Sequence, residues 1–228
     1  ASKDDQASQW VAIAASALNE GDVTGALQTL NQAESLNPSD PELHHVRALA
    51  FLARREIPTA LESISRAHEL APDSSSISTT YGKILMDSGK RAEAEKALIQ
   101  PANDPLYREA YRARTNLAIL YQQRGDLAAA RSQLDRAINE APREACHAYY
   151  FRSQMELKDG QLREALRDLE HATTQVCGTF AEAHLAVGIV LTRSHHYEQA
   201  RKKFVEVSQR FKGSDSAEKA LENLRYLP

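Results

Sequence analysis

Proline recurs along this chain at a nearly constant spacing. Pro38 and Pro72 are 34 residues apart, and Pro142 follows Pro72 after 70 residues, which is two such periods and two extra residues. Internal similarity at a period of about 20 to 50 residues is the signature of repeat architectures, in which each unit packs only against its neighbours. We therefore expect a stack of similar units.

The first unit carries small, aromatic and apolar residues at fixed positions of a 34-residue template. From its start to its end these residues are Trp10, Ala14, Gly21, Ala26, Leu30, Ala33 and Pro38. The pattern closely resembles the tetratricopeptide repeat, which is a pair of antiparallel helices, A and B. The resemblance implies that successive helix pairs stack on one another.

The pattern continues along almost the whole chain. We predict six repeats and a C-terminal capping helix, at residues 7–40, 41–74, 75–110, 111–144, 145–180, 181–214 and 215–228. The predicted fold is all-α, an α-solenoid with a right-handed superhelical course that forms a single domain over residues 1–228. Gly21, Gly89, Gly125 and Gly160 fall between helices A and B, where a positive φ is expected.

Two repeats depart from the pattern. Pro101 stands late in helix B of the third repeat, so we expect that helix to stop early and a longer connector to begin. In the fifth repeat, helix A has Arg152 and Glu156 at positions that normally hold apolar residues, and a register error of one residue is possible there. In the final helix we expect three apolar residues to share one face: Ala217, Leu221 and Leu224.

Composition and charge exclude several classes of function. The net charge of −3 is spread without a continuous basic stripe, so a nucleic-acid partner is not expected. No apolar run reaches the roughly 20 residues that span a bilayer. The sequence contains none of the common catalytic or phosphate-binding motifs, and its acidic residues are expected mostly on outer, solvated helix faces. We predict a non-enzyme without cofactor or metal.

Histidines and cysteines are the remaining chemically active candidates. His44 and His45, like His195 and His196, are adjacent, so their side chains diverge on a helix and are interpreted as surface or groove residues. Cys146 and Cys177 fall at the start of helix A and the end of helix B of the fifth repeat. Antiparallel helices bring these two ends together, which favours a disulfide. Two free thiols, or a zinc site with His147 and His171, are the alternatives.

The concave surface formed by the A helices is the expected binding surface of such a stack. In the first two repeats its positions are mainly apolar. The predicted partner-binding groove consists of Val11, Ala15, Leu18, His45, Leu49, Leu52 and Ala53. An apolar groove suits an amphipathic helix or a strand of a partner, although packing on a neighbouring helix would also explain these residues.

One segment is more specific than the generic repeat. Tyr81-Gly82, Gly89, Glu93-Ala94, the insertion Asp104-Pro105-Leu106-Tyr107 and Asn116-Leu117-Ala118 resemble the outer-membrane pilotin family of type IV pilus biogenesis. The family's six repeats agree with the predicted number. Many members carry cysteines where this chain has Met86 and Leu120, and Cys146 and Cys177 are expected to replace their stapling role.

The resemblance implies a lipoprotein on the periplasmic face of the bacterial outer membrane. Its partner would be the type IV pilus secretin subunit, with other pilus assembly proteins as further candidates. Membrane contact would come only through an N-terminal lipid anchor, which this sequence does not include. The alternative is a cytosolic tetratricopeptide adaptor that binds a partner peptide in its concave groove.

Overall fold

A computed structural model describes residues 2–228. The described residues form thirteen α-helices and no strand. The helices are α1 Lys3–Asn19, α2 Val23–Leu36, α3 Pro41–Ala53, α4 Ile57–Leu70, α5 Ser75–Asp87, α6 Arg91–Asn103, α7 Ala110–Arg124, α8 Leu127–Glu140, α9 Cys146–Lys158, α10 Leu162–His171, α11 Ala181–Arg193, α12 Tyr197–Arg210 and α13 Asp215–Tyr226. The predicted all-α fold of six helix pairs and a C-terminal helix is confirmed. Its right-handed superhelical course stays a prediction.

The helices group into two compact units, one ending at Leu120 and the other beginning at Tyr121. In the first unit α1 packs on α2, α3 on α4 and α5 on α6, and in the second unit α9 packs on α10 and α11 on α12. Small residues let the paired helices approach, because a larger side chain would separate them. At Gly82, for example, an added Cβ would lie 2.4 Å from Cγ of Leu98.

Each turn from helix A to helix B requires one residue in the left-handed region. Gly21, Gly89, Gly125 and Gly160 have φ between 74° and 87°, as predicted. The second and sixth repeats use Arg55 and His195 instead, both with φ of 60°. A side chain in this region carries strain, which glycine avoids. The turn is therefore conserved in shape even where its residue differs.

The third repeat corrects one expectation. Helix α6 continues through the buried Pro101 to Asn103, so the helix does not stop early. Pro101 has no N–H to donate to the carbonyl oxygen of Ala97, so one helical hydrogen bond is missing, and the helix ends two residues further on. The longer connector is present, because α7 begins only at Ala110.

The fifth repeat is irregular in a different way. Helix α10 has only 10 residues, and a short 3-10 helix, Gln175–Cys177, follows it. In α9 the fully buried Ser153 occupies the place that Gly82 takes in α5, seven residues after the helix starts. Arg152 therefore precedes the small residue of this repeat.

The C-terminal helix α13 packs against α11 and α12. Ala217 and Ala220 are buried, and Ala220 joins the apolar cluster around Phe204. Leu224 packs partly against that cluster, but Leu221 is half exposed. The predicted apolar face is therefore correct for Ala217 and Leu224 and wrong for Leu221, whose place Ala220 takes.

Candidate partner-binding groove

The α1 part of the predicted groove is only partly open. Val11 is buried in an apolar cluster with Leu30 and Leu43. Ala15 and Leu18 are half-buried and pack on the same cluster. Val11 therefore stabilises the first repeats from inside and does not line an open surface, whereas Ala15 and Leu18 keep an exposed side.

The α3 part shows the same division. His45 is buried; its Nε2 lies 2.9 Å from the Thr80 hydroxyl and its Nδ1 lies 3.3 Å from a Glu42 carboxylate oxygen. Leu49 and Leu52 are half-buried, and Ala53 is exposed. His45 therefore connects α3 to α5 and is not a free groove residue.

The surface that remains open consists of Ala15, Leu18, Leu49, Leu52 and Ala53. All five side chains are apolar, so burial under a partner would be driven by the hydrophobic effect and not by ion pairing. Their role in binding stays a prediction.

His44 is also not a surface histidine. It is buried, and its Nε2–H donates to the carbonyl oxygen of Pro38 at 2.8 Å. His195 is exposed, as expected, and its Nδ1 lies 2.7 Å from the Tyr197 hydroxyl. The interpretation of the histidine pairs is therefore wrong for α3 and correct for His195.

The inserted connector is held by hydrogen bonds to α5. The Ser75 hydroxyl donates to Asp104 at 2.5 Å, and the N–H of Leu106 donates to the other Asp104 oxygen at 2.9 Å. These bonds, the one from Ser75 first, lower the pKa of Asp104. Tyr107 is half-buried and hydrogen-bonds Thr79, whereas Leu106 is 90% exposed.

The fifth repeat contains a partly buried network of charges that the sequence interpretation missed. Nε and Nη2 of Arg152 donate to the two oxygens of Asp168 at 2.6 and 2.7 Å, and Nη1 donates to Asp135 at 2.9 Å. These hydrogen bonds, with that to Asp168 first, raise the pKa of Arg152. Arg152 and Glu156 at apolar positions were the sequence signal for this network.

Glu156 is the least satisfied member of the network. Its side chain is 8% exposed, its Oε1 lies 3.9 Å from Arg131, and its Oε2 has no hydrogen-bond partner among the described residues. Burial, followed by the charge of Asp168, raises its pKa to about 7. The expectation that acidic residues lie on outer faces is therefore wrong for Glu156 and Asp168.

Cys146 and Cys177 form a disulfide, with their Cα atoms 5.5 Å apart. The two histidines of the alternative zinc site pack on aromatic rings. The ring centroids of His147 and Phe180 are 4.4 Å apart, and those of His171 and Tyr149 are 4.7 Å apart. Within residues 2–228, no cluster of three or more His, Cys, Asp or Glu side chains could hold a metal ion. The disulfide thus uses both thiols that the zinc alternative requires.

None of the described helices has both the length and the hydropathy that a bilayer-spanning helix needs.

Solved structures with similar folds include two type IV pilus proteins. PilF of Pseudomonas aeruginosa matches with a TM-score of 0.75 and 17% identity, over 97% of this chain and 99% of PilF. PilW, a widely conserved type IV pilus biogenesis factor, matches with a TM-score of 0.77 and 21% identity, over 94% and 98% of the two chains. A chain of the APC/C hetero-tetramer Cut9–Hcn1 has a TM-score of 0.81 and 15% identity, but only 42% of its length is covered.

At these identities the likeness concerns the fold alone. No curated protein sequence matches the chain. The sequence profile of the tetratricopeptide repeat matches residues 11–75, 81–145 and 115–175, which together exceed half of the chain. Proteins built from this repeat are typically non-catalytic scaffolds that bind other proteins. The chain therefore belongs to the tetratricopeptide repeat family.

Proposed function

We propose that this protein is a pilotin-like scaffold, which binds the type IV pilus secretin subunit and promotes its localisation to, and assembly in, the outer membrane. The observation that carries the proposal is the match with PilF and PilW along nearly the full length of both partners. The Cut9–Hcn1 chain has a higher TM-score, but this chain spans less than half of it. Six repeats and a C-terminal helix thus correspond to whole pilus proteins.

Two features of the chain itself support the proposal. The connector at Asp104 to Tyr107, on which the sequence resemblance rests, is a defined structure bonded to Ser75 and Thr79. The disulfide between Cys146 and Cys177 is typical of proteins from oxidising compartments such as the periplasm. We accordingly propose a location on the periplasmic face of the outer membrane, through a lipid anchor outside this sequence.

The open part of the groove is the proposed secretin-binding surface. Leu18, Leu49 and Leu52 present apolar side chains that a helix or strand of the secretin would cover. Moving a leucine from full exposure to full burial contributes about 1.5 to 3 kcal/mol. These leucines are already half-buried, so a partner that covers them gains only part of that from each. Other pilus assembly proteins would have to bind elsewhere on the chain.

Secretin assembly in cells tests this function. The gene is deleted in its host and replaced by the wild type, by the double variant Leu49→Asp/Leu52→Asp, or by the control Leu127→Asp. Leu127 is an exposed leucine of α8, far along the sequence from the groove. We expect the double variant to lose secretin multimers while its circular dichroism keeps the helical signal, and we expect the control to assemble them.

Because Leu52 also contacts the core, Ala53→Arg provides a variant that leaves the core intact. Ala53 is exposed, and an arginine there should obstruct the groove without unfolding the repeat. Normal secretin multimers with both groove variants would refute the proposed site. Normal multimers in the deletion strain would refute the pilotin function.

The cytosolic adaptor remains the competing function, and the compartment separates the two. Mass spectrometry of the native protein under non-reducing conditions should find Cys146 bonded to Cys177, and the full-length precursor should begin with a signal peptide that ends in a lipidated cysteine. Two free thiols and a precursor without a signal would support the adaptor.

A further inference from the structure

Four aromatic rings form a patch where the fifth and sixth repeats meet. His147, Tyr150 and Phe151 belong to α9, and Phe180 directly precedes α11. The ring centroid of Phe180 lies 4.4 Å from that of His147 and 5.1 Å from that of Tyr150. The centroids of Tyr150 and Phe151 are 5.3 Å apart. We call these four residues the aromatic patch. All of them belong to the second compact unit, whereas the proposed secretin groove belongs to the first.

The disulfide fixes the two segments that carry this patch. Cys146 directly precedes His147, and Cys177 lies three residues before Phe180. The N–H of Phe180 donates to the carbonyl oxygen of Cys177 at 3.0 Å, so Phe180 closes a turn that begins at the disulfide. The aromatic patch is therefore preorganised, and binding to it would cost little conformational entropy.

Each ring of the patch keeps a part that is open to water. His147 is exposed, and Tyr150, Phe151 and Phe180 are half-buried. His147 and Tyr150 are three residues apart on α9, so they lie on the same side of that helix. The face of an aromatic ring attracts a cation, because the π electrons make the face negative. The open part of the patch therefore favours a positively charged ligand.

A carboxylate lies beside the patch. Glu182 is exposed and belongs to the first turn of α11, two residues after Phe180. Burial, followed by the negative charge of Glu182, raises the pKa of the Tyr150 hydroxyl. Among residues 2–228, Glu182 has no partner in an ion pair or a side-chain hydrogen bond. A cation on Tyr150 would thus be attracted both by the ring and by the carboxylate.

A guanidinium group suits this combination better than an ammonium group. It stacks on an aromatic ring while its N–H groups donate in parallel to both oxygens of a carboxylate. The fifth repeat contains such an arrangement nearby. Arg152 lies 5.8 Å from the ring centroid of Tyr149 and donates to both oxygens of Asp168. Tyr150 and Glu182 offer the ring and the carboxylate for a second arginine.

We propose that the aromatic patch and Glu182 bind an arginine side chain in a segment of a partner protein. The guanidinium would stack on the open side of Tyr150 and donate to the carboxylate of Glu182. An acidic segment would be repelled by the same carboxylate. The inference goes beyond the secretin groove and does not depend on the pilus function, because other residues and another kind of attraction are involved.

Nuclear magnetic resonance titration of the 228-residue protein tests the site. The probe is N-acetyl-arginine amide. The matched control is N-acetyl-citrulline amide, in which a neutral urea group replaces the guanidinium. We expect the arginine compound, at millimolar concentrations, to cause saturable shifts of the ring protons of Tyr150 and Phe180 and of the N–H of Glu182. The citrulline compound should cause none of these shifts at the same concentrations.

Two pairs of variants decide whether the shifts come from this site. Glu182→Gln should weaken binding about threefold. Glu198→Gln should leave binding unchanged, because Glu198 is an exposed glutamate in the first turn of α12. Tyr150→Leu should also weaken binding about threefold, whereas Tyr150→Phe keeps the ring and should bind like the wild type.

The proposal is overturned if the arginine compound causes no saturable shift, if the citrulline compound binds equally well, or if the two glutamate variants bind alike. Equal binding by Tyr150→Leu and Tyr150→Phe would also overturn it, because the ring would then take no part. Since Glu182 is exposed, its variant tests the site even if Tyr150→Leu does not fold. Secretin assembly in cells is an independent readout, so either proposal can fail without the other.

Discussion

The third and fifth repeats both bond the start of helix A to the segment that follows helix B, but the two bonds differ in kind. In each, the first residue of helix A is bonded to the connector that follows helix B. Ser75 of α5 donates a hydrogen bond to Asp104, and Gln100 of α6 donates to Ser75 at 3.1 Å. Cys146 of α9 forms a disulfide with Cys177. The sequence separations are also similar, 29 residues for the hydrogen bond and 31 for the disulfide.

Both bonds occur in repeats whose helix B is irregular. Helix α6 contains Pro101, and α10 is shorter than the other B helices and continues into a 3-10 helix. A disturbed helix B loses packing at its end, and a bond from its connector to helix A restores the contact. We infer that the repeat tolerates an irregular helix B when the segment after it is bonded to helix A.

The residues packed between helix A and helix B differ more between the two repeats than these bonds do. Gly82 of α5 packs closely against Leu98 of α6, and Leu85 of α5 is buried. Helix α9 places Ser153 and Glu156 at the equivalent positions, with Arg152 paired to Asp168. The fifth repeat therefore depends on ion pairs and a disulfide where the third depends on packing.

Removing the disulfide should have the largest effect of the changes that test this comparison. Cys146→Ser/Cys177→Ser should lower the free energy of unfolding by about 3.5 kcal/mol in the chain-entropy account of a 31-residue loop. Cys146→Ser/Cys177→Asp copies the chemistry of the third repeat and should recover part of that loss. Denaturant unfolding measures the stability of both double variants. If the two are equally stable, a serine–aspartate hydrogen bond does not replace the disulfide at this place.

Breaking the ion pair of the fifth repeat should have the next largest effect. Asp168→Ala leaves Arg152 half-buried with Asp135 as its remaining ionic partner, and should cost about 3 kcal/mol. Asp135→Ala should cost less than about 1 kcal/mol, because Asp135 is half exposed. Similar losses in thermal unfolding for the two variants would show that burial does not distinguish the pairs.

Glu156 should make stability depend on pH. Its folded-state pKa of about 7 lies above the ordinary value of 4.5, so the folded protein holds more protons between these values and loses stability as pH rises through them. The groups facing it are Arg131, Arg152, Asp168 and Glu164. The stability of Glu156→Gln relative to the wild type should therefore increase by roughly 2 to 3 kcal/mol as pH rises from 5 to 8.

The control for this prediction is Glu222→Gln, since Glu222 is an exposed residue of α13 and is not among the groups that face Glu156. Its unfolding curves should follow those of the wild type across the same pH range. A constant difference between Glu156→Gln and the wild type would mean that Glu156 is ionised throughout, with its charge balanced by Arg131 and Arg152.

A change in the connector of the third repeat should have the smallest effect on stability. Asp104→Ala removes the hydrogen bonds to Ser75 and to the N–H of Leu106, but its carboxylate is accessible to water. We expect a small loss of stability together with faster amide exchange at Leu106 and Tyr107. Unchanged exchange at these residues would show that the connector is held by Tyr107 and not by Asp104.

The repeat period predicted the fold because it reflects contacts within and between helix pairs. The positions of Gly21, Ala48 and Gly82 follow from local needs, namely a positive φ or close helix approach, and those needs are visible in one sequence. The continuation of α6 through Pro101 was not predictable, because proline removes a helical hydrogen bond and normally ends a helix, whereas this helix runs two residues further.

The binding surface was less predictable for the same reason. A template position tells which side of helix A a residue occupies, but not how far the next helix covers it. Val11 and His45 lie at groove positions and are nevertheless buried. Trp10 fits the template equally well and is 40% exposed.

The most direct test of the account is binding between the purified chain and the purified secretin subunit of the same organism, measured by calorimetry. A secretin-binding scaffold should show saturable binding that Leu49→Asp/Leu52→Asp abolishes and Leu127→Asp leaves intact. Absence of binding by the folded wild-type chain, or equal binding by the groove variant, would contradict a secretin-binding scaffold.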